Sequence, residues 1–356
     1  MRLIQFVTIV ASLALGVVPA HAEGPTYRVD AAWQPQIPAD WALGPVSGVA
    51  IDAQDHVWIL QRPTWLTQDE KGLIQDPPVS KCCRPAPPVI ELDRNGKVLR
   101  AWGGPSEDYD WPKSGHGILV DHEGNVWITG ADSDDGMILK FTPDGQLIKQ
   151  IGGVGPSKGS LDTTIFTRAT GFTEDPDARE IYVSDGYANN RVVVLDLDTL
   201  QVKRFWGAYG KPPTDDDIPP YNAESPQFDT VHCVERGSDG LIYVCDRLNN
   251  RIQVFRPDGT YLHQFVFEPA TRGPGSAWDI AMSARDPDYM MLADGSNNEM
   301  SVWRLSDGKV VQTFGRQGRY AGQFHWVHNV AVDSRGDVYT TEVDTGKRIQ
   351  KWIRQP

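Results

Sequence analysis

The feature that most restricts what this chain can become is a unit that returns six times: a short apolar strand, a polar turn such as AQD, HEG, GSDG or SRG, and a second strand rich in β-branched and aromatic residues. The second strands read VWILQR (Val57 to Arg62), VWITGA (Val126 to Ala131), IYVSDGY (Ile181 to Tyr187), IYVCDR (Ile242 to Arg247), MMLADG (Met290 to Gly295) and VYTTEV (Val338 to Val343). Short runs of this composition between turn residues are strands, and after the N-terminal apolar run there is no amphipathic helix of three or more turns. A third strand follows each second one, often reaching a fourth through a PDG-type hairpin turn, as in ILKFTPDGQLIKQIG and IQVFRPDGTYLHQF. Four antiparallel strands repeated every ~40 to 50 residues are the blades of a β-propeller. An all-β, six-bladed β-propeller is therefore expected.

The strand patterns resemble NHL-type repeats. The sixth unit ends at Arg348 to Ile353 with only a third strand, while Tyr27 to Trp33 (YRVDAAW) stands alone before the first blade. The N-terminal segment is expected to supply the missing strand and close the ring, leaving no open sheet edge. Two segments rich in Pro and Asp, Pro63 to Pro88 and Gly210 to Gln227, read as loops.

Met1 to Ala22 has the form of a secretory signal peptide: Arg2, an apolar run from Leu3 to Val18, and Ala20-His21-Ala22 as the cleavage site. The run is shorter than the ~20 residues a membrane-spanning helix needs. The mature protein, 23–356, is expected as one propeller domain outside the cytoplasm, periplasmic or extracellular, with no stable membrane insertion. A net charge of -13 without any block of Lys and Arg excludes nucleic acid as a partner. Four cysteines in an exported chain permit disulfides in three connectivities. Cys82 and Cys83 are adjacent in the proline-rich insertion, while Cys233 and Cys245 lie on the two arms of a hairpin, where a cross-strand bridge fits.

Aligning the first strand of each unit on its closing Asp or equivalent places Ser47, His116, Thr170, His232, Trp278 and His328 at one register. Histidine occupies every second blade. In a six-bladed ring alternate blades are related by a third of a turn, and the innermost strands line the axis. Three imidazoles at one height then converge, which is the donor set of a catalytic zinc site with a fourth position open. Copper, iron and nickel accept the same donors. His56, His122 and His263 fall beside turns or at outer-strand ends, and His325 is the substitute should the register slip. Arg62, Tyr187 and Arg247 end second strands and so face the same mouth. A phenol beside a cation serves as a general base, and a guanidinium grips a carboxylate in bidentate fashion; Arg247 could instead pair with Asp246.

The stretches VSGVAID, GHGILVD, YVSDGYANNR, PQFDTVHCV, CDRLNNRIQVF and FHWVHNVAVD resemble peptidyl-α-hydroxyglycine α-amidating lyase, over about Pro45 to Trp352. The resemblance implies zinc held by His116, His232 and His328, Tyr187 taking the substrate hydroxyl proton, Arg62 and Arg247 as active-site arginines, and an amide and glyoxylate as products. It also implies a structural calcium bound through the carbonyls of Val49 and Ile118 and a carboxylate, but that last position is Asn329, and a lost ligand charge weakens a calcium site. Trp326 replaces a methionine of the family. Ala188 replaces a cysteine, so that family disulfide cannot form. The copper monooxygenase unit that makes the hydroxyglycine is missing from this sequence. Two other functions suit the same ring: metal-dependent hydrolysis of an ester or lactone, and a non-catalytic NHL-repeat scaffold binding a peptide or protein. For the catalytic readings the expected substrate is a small molecule or a peptide.

Overall fold

The computed structural model describes residues 24–355, so the expected signal peptide lies outside the described residues. Six four-stranded antiparallel sheets form a ring of blades. From the axis outward, blade 1 is Val46–Ile51, Val57–Gln61, Val89–Leu92 and Val98–Trp102. The inner strands of blades 2 to 6 are Gly115–Val120, Ala169–Asp175, Val231–Arg236, Asp279–Met282 and Val327–Val332. Each packs against the inner strands on either side, and blade 6 meets blade 1.

Closure uses the N-terminus, as expected, but with a shorter strand. Tyr27–Val29 pairs with Arg348–Arg354 in the register Tyr27 to Arg354, Arg28 to Ile353 and Val29 to Trp352. The chain then leaves the sheet at a turn in which the backbone N–H groups of Ala32 and Trp33 donate to Asp30. Trp33 is not a strand residue: its ring packs on Tyr339 of blade 6 and its Nε1 donates to Arg94 O of blade 1, riveting the seam from above.

The Asp that closes each first strand has a defined task. In blades 1 and 2, Asp52 and Asp121 accept the Nε1–H of Trp58 and Trp127 (both 2.9 Å) with one oxygen. The other oxygen accepts backbone N–H groups of the turn, from His56 (2.9 Å) and Asn125 (2.7 Å). A local carboxylate thus satisfies the turn backbone and fixes the aromatic residue of the second strand. The apolar residues fill the gaps between blades, giving six buried clusters for six gaps. At ~1.5–3 kcal/mol for each buried Val, Ile or Phe, this interlocking holds the blades together.

Both insertions lie over the histidine mouth. Pro63 to Pro88 is not simple loop: it holds two 3-10 turns, Pro63–Trp65 and Asp69–Ile74, and Glu70 pairs with Lys347 of blade 6 at 2.6 Å. The second insertion is anchored by Tyr221 N donating to Leu248 O, at the end of the blade 4 second strand. Among the described residues no helix is long and apolar enough to cross a membrane. Cys233 and Cys245 face one another across blade 4 and form the cross-strand disulfide; Cys82 pairs with Cys83.

Candidate metal centre

The inner strand of five blades carries a one-residue irregularity, and it falls on the register read from the sequence. In blade 4, Val231 opposes Asp246 and Cys233 opposes Cys245, leaving His232 as the extra residue. Ser47, Thr170 and His328 stand out of their ladders in the same way, and His116 does so together with Gly117. A β-bulge turns a side chain out of its pleat and bends the strand. Here it sends each of these side chains toward the axis.

The three histidines meet. Ring centroids are 5.0 Å apart for His116 and His232, 4.7 Å for His116 and His328, and 5.0 Å for His232 and His328. One nitrogen from each lies within 4.8 Å of the others, and all three residues are buried. Each Nδ1 donates to the carbonyl of the equivalent position on the next blade: His116 to Thr170 O (2.8 Å), His232 to Trp278 O (2.5 Å) and His328 to Ser47 O (2.7 Å). A carbonyl can only accept, so the proton sits on Nδ1 and the Nε2 lone pair faces the channel. Burial pushes all three imidazoles toward the neutral form, His328 to about 3, with Arg62 and Arg247 adding to the effect. Neutral, tautomer-locked and convergent imidazoles fit a transition metal ion.

The same positions build a belt of hydrogen bonds around the channel. Ser47 Oγ donates to Gly115 O and Thr170 Oγ1 to Val231 O, both at 2.8 Å, joining blade 1 to 2 and 3 to 4. Between blades 5 and 6 the link is made one residue further on. Asp279 Oδ2 accepts Asn329 Nδ2 (2.6 Å) and Val330 N (2.8 Å), while Asn329 Oδ1 accepts Val49 N (2.9 Å). Asn329 is therefore committed to joining blades 5, 6 and 1. The carboxylates in this part of the channel are Asp279 and Glu235, each pushed up to about 8 by burial, Glu235 also by the neighbouring Asp279 charge.

Tyr187 completes the mouth. Its hydroxyl lies 3.0 Å from His232 Nε2 and 3.3 Å from His116 Nε2 and accepts a hydrogen bond from Arg247 (3.0 Å). Arg247 also lies over Trp278, 4.7 Å from the ring centre, and does not pair with Asp246. Asp246 is taken by Arg251 and Asn249, as Asp185 is by Arg191 and Asn189. The D-x-x-x-N-x-R pattern around Tyr187 is thus a buried structural clip that recurs one residue shorter in blade 4, as D-x-x-N-x-R; of the residues between the Asp and the Asn, Tyr187 in one and Arg247 in the other face the site. Arg62 is buried and donates Nε to Gly115 O at 2.8 Å. One residue escaped the sequence reading: Arg168 lies over the Tyr187 ring at 5.0 Å, its Nε donating to Ala131 O. It stands two places before Thr170 in the register. Trp326 packs against Trp278 (5.7 Å) as an aromatic wall next to His328.

The remaining histidines are elsewhere. His122 pairs with Glu174, His263 packs on Phe265, and His325 lies outside the cluster. His56 forms a second group with Asp52 and Glu91, but Trp58 and Arg100 already occupy those carboxylates.

Fold and site define a six-bladed β-propeller with a three-imidazole centre on its axis. No protein-family model matches the chain. The chain is 26% identical over 356 residues to mouse NHL repeat-containing protein 3, covering 93% of this chain and 85% of that protein. It is also 26% identical over 338 residues to peptidyl-alpha-hydroxyglycine alpha-amidating lyase 1 of Drosophila melanogaster, covering 88% of this chain and 58% of the fly protein. Among solved structures, a streptogramin B lyase superposes with a TM-score of 0.53 over 93% of this chain and 98% of that one, at 13% identity, a likeness of fold alone. Its relatives are thus NHL-repeat proteins and members of the peptide-amidating group, at low identity.

Proposed function

We propose that the protein is an exported, zinc-dependent lyase of the amidating type, which cleaves the C–N bond of an α-hydroxyglycine-like compound to an amide and glyoxylate. The observation that carries this reading is the placement of the Tyr187 hydroxyl within 3.3 Å of two Nε2 atoms of a three-histidine centre. His116, His232 and His328 would hold the metal, which when bound supplies Lewis-acid polarisation of the substrate oxygen. The cationic groups around Tyr187 suit a substrate carboxylate: Arg247 and Arg168 flank the ring, and Arg62 lies beside Gly115. With the carboxylate so held, the substrate hydroxyl faces Tyr187 Oη. The phenol takes the hydroxyl proton as the C–N bonding electrons move to the amide nitrogen, and passes its own proton to that nitrogen. The hydroxyl carbon becomes the aldehyde of glyoxylate and the tyrosine ends in its starting state.

The test is elemental analysis of the purified mature protein together with a glyoxylate assay on α-hydroxyhippurate. We expect about one zinc per chain and glyoxylate released in step with metal content. Metal-free protein, or a metal-loaded protein that opens lactones and forms no glyoxylate, would sink the reading. N-terminal sequencing of protein recovered outside the cytoplasm tests export, with Glu23 the expected first residue.

A further inference from the structure

Between blades 1 and 2, on the histidine mouth, a groove of about 550 Å³ opens beside Arg62. Its walls come from separate segments: Pro63 begins the long insertion, Pro87 ends it, and Pro112 lies in the connection from blade 1 to blade 2. Proline fixes φ and carries no N–H, so these walls are stiff and present few donors. Trp111 adds a ring face, braced against Tyr109 and Phe141 at 6.2 and 6.0 Å. Glycine at 103 permits this, because a Cβ there would stand 2.6 Å from the Trp111 ring. No carboxylate lines the groove in a chain of net charge -13, and Lys113 is tied to Asp134 at 2.5 Å.

The groove adjoins the centre. Arg62 and Gly115 line it, Gly115 precedes His116, and the two are joined by the Arg62 Nε to Gly115 O bond. We propose that this groove is the subsite for the group beyond the substrate's amide nitrogen, and that it selects an uncharged, apolar acyl group. The proposal rests on the lyase reading above and names its substrate class. A stiff apolar slot beside a carboxylate clamp holds both ends of such a molecule, and binding energy from the remote end is available to the reacting centre.

The experiment uses a ladder of N-acyl-α-hydroxyglycines, from acetyl through butanoyl to hexanoyl, with a succinyl member as the charged control. The expected result is a rise in kcat/KM of about threefold per methylene, and a succinyl member below butanoyl. In parallel, calorimetry measures binding of the corresponding N-acylglycines, which lack the hydroxyl and cannot react. Thr64→Trp, at an exposed position on the groove, is expected to flatten the chain-length dependence in both series. Equal kcat/KM and equal affinity along the wild-type ladders overturn the groove while leaving glyoxylate release, and so the lyase reading, in place. Affinity that climbs with chain length in a protein releasing no glyoxylate supports the groove and removes the lyase.

Discussion

Blades 2, 4 and 6 and blades 1, 3 and 5 share a backbone and differ in what they place at one position. The even blades present His116, His232 and His328; the odd blades present Ser47, Thr170 and Trp278 and contribute the carbonyls that receive the Nδ1 protons. A metal-ligating histidine needs a partner on its far nitrogen, and here the next blade supplies it from the equivalent residue. The alternation therefore gives ligand and orienting acceptor from a single structural register. Glycine at 117 follows from the same crowding, since a Cβ there would stand 2.6 Å from Thr170 O, the acceptor of His116.

Breaking the even set should have the largest effect. His232→Ala removes one of three ligands, and metal and glyoxylate release are expected to disappear together by elemental analysis and assay. Next in size, Tyr187→Phe keeps all three imidazoles and removes the hydroxyl they surround. Metal content should stay at wild-type level while kcat falls by about 10² to 10⁴; unchanged turnover would remove the tyrosine from the chemistry.

The seam between blades 5 and 6, where the alternation is patched by Asp279 and Asn329, comes third. Asn329→Asp takes away the N–H that Asp279 accepts at 2.6 Å, at a cost of about 1–3 kcal/mol. Thermal unfolding should show a lower Tm, with recovery in added calcium if the pair of carboxylates captures the ion.

Acid sharpens the comparison further, because at this register only the even blades carry a titratable side chain. His328, held near 3 by burial, stays neutral while an unfolded histidine, near ~6.5, takes up a proton. Between those values the unfolded chain binds more protons at this residue, so the stability that a neutral His328 contributes to the metal-free protein is fully present above about pH 6.5 and is lost as pH drops below it. His116 and His232 are shifted the same way. The buried carboxylates Asp279 and Glu235, both pushed up by burial, act in the opposite sense, so the test is differential: the Tm of the wild type relative to His328→Gln should fall from about pH 7 to pH 4.5. The smallest effect belongs to an odd blade: Ser47→Ala loses the Oγ bond to Gly115 O but keeps the carbonyl that His328 uses. We expect about 1 kcal/mol of destabilisation and unchanged metal content.

Sequence periodicity sufficed for the ring, because turn residues and β-branched strands are local signals repeated six times. The histidine register was legible for the same reason. The bulge was not: an extra residue in one strand is a property of the pair, and neither strand alone declares it. Arg168 was missed because its position has different residues in the other blades, Thr230 and Trp326 among them, so no repeat marked it. The part Asn329 takes in the belt is not legible in its own strand because its partner Asp279 occupies the equivalent place one blade earlier and meets it only across the seam. The length of the closing strand was overestimated since Asp30 to Trp33 forms a turn whose hydrogen bonds, not its apolar residues, decide its shape.

Ring closure by Tyr27–Val29 on Arg348–Arg354 has a consequence for when the centre can be filled. Strand pairing between the two ends of a chain is a late event in folding, and His328 arrives with the last blade. A metal ion has no complete set of three imidazoles to enter until the whole polypeptide has been made. Nitrogen donors alone discriminate poorly among divalent metals. Selection of the metal then falls to the compartment in which the ring shuts, through whichever ion is available there at that moment.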